Sequence, residues 1–245
     1  MILLLDIGNT RIKWARLEAE LLGSHGAATH VDEQLNHVLE RVFDGPAPTR
    51  VLAANVAGPQ VAEALREICT RRYRLKPEFL LPTRSLQGVT NGYTDPKRLG
   101  SDRWAAAIAA FRNYGGPVCV VDAGTAITVD VVDASGRHLG GLIAPGPLTM
   151  RRALATATDA LQDEGEGEIA LLCRDTRSGI SSGSWHAAAG FVERVAGLLD
   201  KEMDEVQYLL TGGDAETLNL QLTPRFVLCP DLVLQGLAVI AEGQP

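Results

Sequence analysis

Two stretches of this chain open alike, and that repeat restricts the fold more than any other feature. LLLDIGNTRIKW from Leu3 and CVVDAGTAITVD from Cys119 each read as an apolar strand, an Asp, a small or apolar residue, a Gly and then Asn or Thr, followed by a second strand. Asp6 and Gly8 recur as Asp122 and Gly124 at an offset of 116 residues in a chain of 245. One such tetrad would say little, because Asp and Gly populate any hairpin turn. Two of them, each ending a hydrophobic strand and each opening a segment of similar size, predict a duplicated α/β architecture. The lobes are expected at residues 1–115 and 116–245, divided at Tyr114-Gly115-Gly116-Pro117. Duplicated lobes are expected to set the two turns facing each other across a cleft.

The periodicities between these turns alternate. Ile2 to Leu5 reads as a buried strand and Arg11 to Leu17 as its hairpin partner across a two-residue Gly8-Asn9 turn. Leu35, Val38, Leu39 and Val42 fall at helical spacing within Asp32 to Phe43, and Gln60 to Arg71 repeats that spacing after a strand at Val51 to Ala54. Residues 82–100 are irregular, a loop length that is often functional. The second half reads as strands at Val118 to Val121, Ala126 to Val132 and His138 to Ile143. A helix entered at Pro147 then runs towards Leu161, Pro suiting the first helical turn. DEGEGE at Asp163 to Glu168 reads as a solvated loop. A helix from Thr176 to Leu199, a strand from Val206 to Leu210, a short helix after Thr211-Gly212-Gly213-Asp214 and a last helix near Asp231 complete the pattern.

Such turns have a direct chemistry. Glycine permits close backbone approach, so successive N–H groups can point at phosphate oxygens. Asn9, Thr10 and Thr125 add side-chain donors, and Lys13 in the following strand can reach a terminal phosphate. Asp6 can hold Mg²⁺ through its waters, and Asp122 can bind a cation or lie near a transferring group. Two hairpin turns without a ligand are the alternative for the pair, and a solvated strand lysine is the alternative for Lys13.

Composition narrows the classes. With 23 Lys and Arg against 30 Asp and Glu the net charge is −7, and aromatics make up 5%. A general nucleic-acid binder would need a basic footprint instead, and Arg71, Arg72, Arg74 and Lys76 read as one solvated strand face. The four cysteines stand about 50 or more residues apart, without CxxC spacing, which argues against zinc and against a disulfide framework. No apolar run approaches the roughly 20 residues of a membrane span. A soluble cytoplasmic protein is expected.

LLLDIGNTRIKW, GSDR at Gly100 to Arg103, DAGTAITVD and TGGDA at Thr211 to Ala215, in this order, resemble the type III pantothenate kinases, a family of the acetate/sugar-kinase and actin-like superfamily. The resemblance implies two homologous lobes of the actin-like, ribonuclease-H-like ATPase fold. It implies that Asp6, Gly8, Asn9, Thr10, Lys13, Gly124 and Thr125 contact ATP, and that Gly212 and Gly213 border the adenosine. Tyr93, Gly100, Ser101, Asp102 and Arg103 would line the pantothenate pocket, Asp102 as general base. Asp122 would take a monovalent cation, K⁺ or NH₄⁺, beside the Mg²⁺ at Asp6. Thr176 would contact substrate from the neighbouring subunit of a homodimer. Two departures from the family pattern stand in CRDTRSGISSG around Thr176 and in Pro-Gly-Pro-Leu-Thr-Met at helix entry.

Read on residue chemistry alone, Asp102 serves equally as a first-turn acid of the helix Trp104 to Phe111. Tyr93 serves equally as a loop aromatic packed on the core, and Arg103 as a solvated helix-start arginine. Phosphoryl transfer tolerates a weak base, because its loose transition state gives up the acceptor proton late. Another kinase or phosphatase of the superfamily, and a non-catalytic nucleotide-dependent regulator, are the competing functions. A Rossmann dinucleotide domain lacks its GxGxxG at the first strand end.

Overall fold

The protein is described here by a computed structural model covering residues 1–30, 34–158, 161 and 165–243. The chain forms two compact units, Met1–Gly115 with Gly136–His138 and Asp231–Pro245, and Gly116–Ser135 with Leu139–Pro230.

The first unit opens with strands β1 (Ile2–Ile7), β2 (Arg11–Glu18) and β3 (Leu21–Thr29), then helix α1 (Leu35–Val42), β4 (Arg50–Asn55), α2 (Pro59–Tyr73) and β5 (Glu78–Phe79). A small hairpin of β6 (Ser85–Leu86) and β7 (Val89–Thr90) leads through a 3₁₀ turn at Pro96–Arg98 into α3 (Ser101–Tyr114). The sheet order is β3-β2-β1-β4-β5, with β2 antiparallel and β4 parallel to β1. Leu3, Leu4, Leu5 and Ile7 are all buried, as a central strand covered on both faces requires. Leu3, Leu5 and Ile7 share a core with Val38, Leu39 and Val42 of α1 and Leu65 and Ile68 of α2.

The second unit repeats the plan with β8 (Val118–Ala123), β9 (Ala126–Val132), β10 (His138–Pro145), α4 (Pro147–Ala157), α5 (Thr176–Glu202), β11 (Gln207–Thr211), α6 (Ala215–Asn219) and β12 (Phe226–Leu228). Its sheet order, β10-β9-β8-β11-β12, is that of the first sheet. Val121, Ala123, Ile127 and Val129 pack on Trp185, Ala188 and Val192 of α5. The last helix, α7 (Leu232–Glu242), returns to the first unit and packs along α3. A Cβ on Gly236 would overlap the backbone of Ala105, so glycine permits that close approach.

Several expectations change. Arg71 and Arg72 lie in the last turn of α2 rather than on a strand, where they bond the two oxygens of Glu40 at 2.6 and 2.7 Å. The first hairpin turn spans four residues, since Ile7 pairs with Ile12 and the Gly8 N–H bonds the Arg11 carbonyl. Strand β3 has no counterpart in the predicted elements. Its sequence LLGSHGAAT has weak strand propensity, and the ladder to β2 forms it, with Gly26 lying under the Trp14 ring. Helix α4 stops at Ala157. The beginning of the first predicted helix, at Asp32, and Asp163 and Glu164 of DEGEGE lie outside the described residues.

Candidate active site

Each sheet carries its Asp-x-Gly turn at the end of its central strand. In the first unit Asp6 is the penultimate residue of β1, and antiparallel register sets Lys13 directly opposite it, on the same face of the sheet. His30 Nε2 donates to the Gly8 carbonyl at 2.8 Å, and the His30 N–H donates to Thr10 O at 3.0 Å. The turn is therefore held from the β3 side, with Asn9 exposed at its tip. A Cβ added at Gly8 would meet only the Arg11 carbonyl, at an ordinary 3.4 Å.

In the second unit Asp122 pairs with Thr128 on one side and Thr211 on the other. The Gly124 N–H bonds Ala126 O at 3.0 Å, and a Cβ at Gly124 would meet nothing within 4 Å. The Thr125 carbonyl accepts from the Gly146 N–H at 3.0 Å and from Thr149 Oγ1 at 2.5 Å, which ties the turn to the start of α4. Neither Gly8 nor Gly124 has a positive φ. Neither backbone strain nor packing asks for glycine at these two positions, so the space beside them is open to a ligand.

Other glycines are there for the fold. Gly212 has φ +104° and lies against the Ala123 carbonyl and the Asp122 carboxylate, where any Cβ would overlap both. The Asp214 N–H completes this contact by donating to Ala123 O at 2.9 Å. Thr211-Gly212-Gly213 is thus held against the Asp122 strand end, with Gly213 exposed. Gly146 lies against the Gly124 carbonyl in the same way.

A second cluster gathers at the start of α3. Gly100 is its N-cap, and a Cβ there would collide with Asp102 Oδ1, so glycine leaves the room that this carboxylate occupies. Asp102 Oδ1 accepts the Arg103 N–H at 2.8 Å. Ser101 Oγ accepts the Asn55 N–H at 3.1 Å, which pins the helix start to the end of β4. Asn55 is the register partner of Ile7, so the α3 N-terminus and the Gly8 turn lie at the same edge of one sheet. Arg103 is only 7% exposed and donates from Nη1 to the Tyr93 hydroxyl at 2.9 Å, its guanidinium carbon 5.7 Å from the ring centre. Tyr93 in turn stacks on His138, with ring centres 6.0 Å apart and 26° between planes. Tyr93, Gly100, Ser101, Asp102 and Arg103 are thereby brought together. Asn55 and His138 are neighbours that sequence reasoning did not single out. A polar residue closing the apolar strand RVLAAN was the available signal for Asn55; His138 had none.

The type III pantothenate kinase family model matches residues 2–197. A type III pantothenate kinase of Nitrosococcus oceani is 40% identical, over 99% of this chain and 94% of that one. The chain belongs to the type III pantothenate kinase family. It is a phosphotransferase, and its fold is that of the actin-like and sugar-kinase ATPases. A Baf family transcriptional activator of Campylobacter jejuni superposes with TM-score 0.56 at 22% identity, over 98% of both chains. A ROK family glucokinase of Streptomyces griseus, solved with glucose and AMPPNP, gives TM-score 0.52 at 13% identity over 99% of both.

In this type III pantothenate kinase family member Thr176 stands exposed in the first turn of α5, whose N-cap Asp175 accepts the Ser178 N–H at 2.8 Å. The first turn of α4 is regular, with Pro147 at its first position despite the unusual Pro-Gly-Pro. No group of three or more His, Cys, Asp or Glu assembles a metal cage among the described residues. Burial pushes the Cys69 thiol up to about 11 and that of Cys119 up to about 12, so neither is a nucleophile near neutrality. None of the helices in the described residues is long and apolar enough to cross a membrane.

Proposed function

We propose that this protein transfers the γ-phosphoryl group of ATP to the primary hydroxyl of pantothenate, giving 4′-phosphopantothenate and opening coenzyme A synthesis. The observation that carries the reading is the pair of glycines, Gly8 and Gly124, that no feature of the fold requires. Their turns, with Asn9, Thr10 and Thr125, receive the phosphates through backbone and side-chain donors. Lys13, across from Asp6, faces the transferring group and offsets its charge. Gly212 and Gly213 border the adenosine.

Pantothenate lies against Tyr93 and the start of α3. Arg103, buried and oriented by the Tyr93 hydroxyl, pairs with an anionic oxygen of the acceptor. Asp102 orients the acceptor hydroxyl and takes its proton as the bond to phosphorus forms. Asp6 and Asp122 each offer one carboxylate, which fits cations that complete their shells with water and substrate oxygens. Mg²⁺ at Asp6 would neutralise phosphate charge, and K⁺ or NH₄⁺ at Asp122 would do the same for the second turn. Thr176 reaches the acceptor of a neighbouring subunit in a cytoplasmic homodimer. Leu171 and Leu172, 84% and 87% exposed close before α5, support an interface near it.

A coupled ADP assay with ATP, Mg²⁺ and pantothenate, with and without K⁺, tests the reading. Turnover that needs pantothenate and rises with K⁺ is expected, and Asp102→Asn is expected to lower kcat by about 10²-fold or more. Phosphorylation of a sugar in place of pantothenate, or no turnover with any acceptor, would overturn it; the second outcome would favour a nucleotide-dependent regulator.

A further inference from the structure

Tyr93, proposed to face the acceptor, sits on a loop with almost no regular structure, so something else must hold it. Between β7 and α3 only the 3₁₀ turn Pro96–Arg98 is periodic. The Arg84 guanidinium supplies the order. Its Nη1 donates to the carbonyls of Asn91 and Tyr93, both at 3.1 Å, and its Nη2 to that of Thr94 at 3.2 Å. A planar fork of donors is preorganised to serve several carbonyls of one turn at once, whereas an ammonium on a flexible stem loses more freedom in doing so. Asn91, 1% exposed, adds to this by accepting the Tyr93 N–H at 2.9 Å and donating to Pro96 O at 3.3 Å. The loop backbone on both sides of Tyr93 is thereby fixed.

The Tyr93 ring is held separately. His138, 1% exposed, lies parallel to it at 6.0 Å, within the range of offset aromatic stacking. His138 is itself placed by the neighbouring backbone, where Thr90 pairs with Arg137 and the Thr90 N–H bonds Gly136 O at 2.8 Å. The hydroxyl that emerges from this arrangement accepts from Arg103 at 2.9 Å.

We infer that Arg84 and His138 are positioning residues for the acceptor site, Arg84 setting the Tyr93 backbone and His138 its ring, so that Tyr93 orients the Arg103 guanidinium. The inference rests on the proposed acceptor role of Tyr93 and Arg103. Arg84 is exposed and outside the core, so its loss is expected to leave the fold intact while loosening one loop.

Steady-state kinetics on the full-length protein, beside thermal unfolding, test this. Arg84→Ala is expected to raise KM for pantothenate about tenfold while KM for ATP stays within about twofold. Arg84→Lys should recover only part of the loss. His138→Leu, which removes the stack, should raise KM for pantothenate while KM for ATP stays within about twofold. In a Tyr93→Ala background, Arg84→Ala should add little, since coupled residues are not additive. Two controls separate the layers. If Tyr93→Phe and Arg103→Gln leave KM for pantothenate unchanged, the acceptor-site assignment fails and this inference with it. If those two variants raise it while Arg84→Ala and His138→Leu do not, the positioning inference alone fails. A uniform fall in kcat with a lowered melting temperature in Arg84→Ala would also overturn it, by making Arg84 a residue of the fold.

Discussion

The two Asp-x-Gly turns come from one repeat but are built differently. The offset of 116 residues that relates Asp6 to Asp122 and Gly8 to Gly124 holds up to the glycine and not beyond it. In the first unit four residues separate the paired Ile7 and Ile12, and in the second three separate Ala123 and Ile127. The extra residue sets Lys13 opposite Asp6, whereas Asp122 faces Thr128. The first turn is fastened by a side chain, His30, and the second by backbone and threonine contacts to the α4 N-terminus and by Gly212. One residue of turn length thus gives one carboxylate a cationic partner position and the other a hydroxyl. Under the proposed function, that difference would leave Lys13 of the first turn to face the transferring phosphoryl group.

The largest effect should come from filling the open glycines. Gly8→Val and Gly124→Val are each expected to lower kcat/KM for ATP by about 10²-fold or more, because backbone approach to phosphate is blocked. Their melting temperatures should stay near wild type, since a Cβ at either site meets no close protein atom. Gly212→Val should instead lower the melting temperature, through its positive φ and its contact with Ala123. Isothermal titration with a non-hydrolysable ATP analogue, beside thermal unfolding, separates the two kinds of glycine. Unchanged nucleotide affinity in folded Gly8→Val would remove the first turn from the site.

Next comes the pair set by the register difference. Lys13→Met is expected to cost roughly 10²-fold in kcat, the scale of one lost charge-stabilising donor, while Thr128→Val should cost less than about threefold. Equal losses would mean that the extra turn residue has no chemical consequence. The carboxylates sharpen the same contrast. Asp6→Asn should raise the Mg²⁺ concentration needed for half-maximal turnover at fixed K⁺, and Asp122→Asn should raise that for K⁺ at fixed Mg²⁺. Each titration is expected to leave the other cation's dependence nearly unchanged.

The repeat was legible because it is carried by local chemistry: an apolar run, an Asp and a Gly with nothing to pack against. The helices α1 and α2 were legible for a similar reason, their apolar residues recurring at helical spacing. What could not be read lay in contacts distant in sequence. Strand β3 is made by its partner rather than by its own residues, and Arg71 and Arg72 are turned into a helix end that reaches Glu40 across 31 and 32 residues. Asp102 was visible as a helix-start acid, but not that Gly100 makes room for its carboxylate or that Ser101 ties it to Asn55. The stacking of His138 on Tyr93 joins residues 45 positions apart, and no motif announces it.

The smallest expected effect concerns how each unit secures its fifth strand, and it depends on pH. In the first unit Arg50 grips Glu78 through two hydrogen bonds of 2.8 and 2.7 Å, which lower the Glu78 pKa and join β4 to β5. In the second, Arg225, immediately before β12, bonds both Glu193, at 2.9 Å, and Asp200, and lies over the Tyr208 ring at 4.9 Å. A hydrogen bond from Tyr208 at 2.5 Å and the arginine hold Asp200 below the ordinary carboxylate range. Burial works to raise Glu193, but hydrogen bonds from Thr223 and Arg225 outweigh it and hold it low as well. A carboxylate depressed by folding contributes stability that is complete above its unfolded pKa, near 4, and is lost as pH falls through the folded value. Both units should therefore melt at lower temperature below about pH 4, and the second should respond more, having two such carboxylates to one. These groups are partly exposed, so the contribution of each is modest and weakens with salt. Arg225→Gln loses ring contacts at every pH, so the diagnostic is the slope rather than the level. Its melting temperature should fall less steeply between pH 5 and pH 3 than that of the wild type, whereas Arg50→Gln should flatten the slope by a smaller amount. Differential scanning calorimetry across that range checks it, and equal slopes in all three proteins would show that the two strand edges do not differ in this respect.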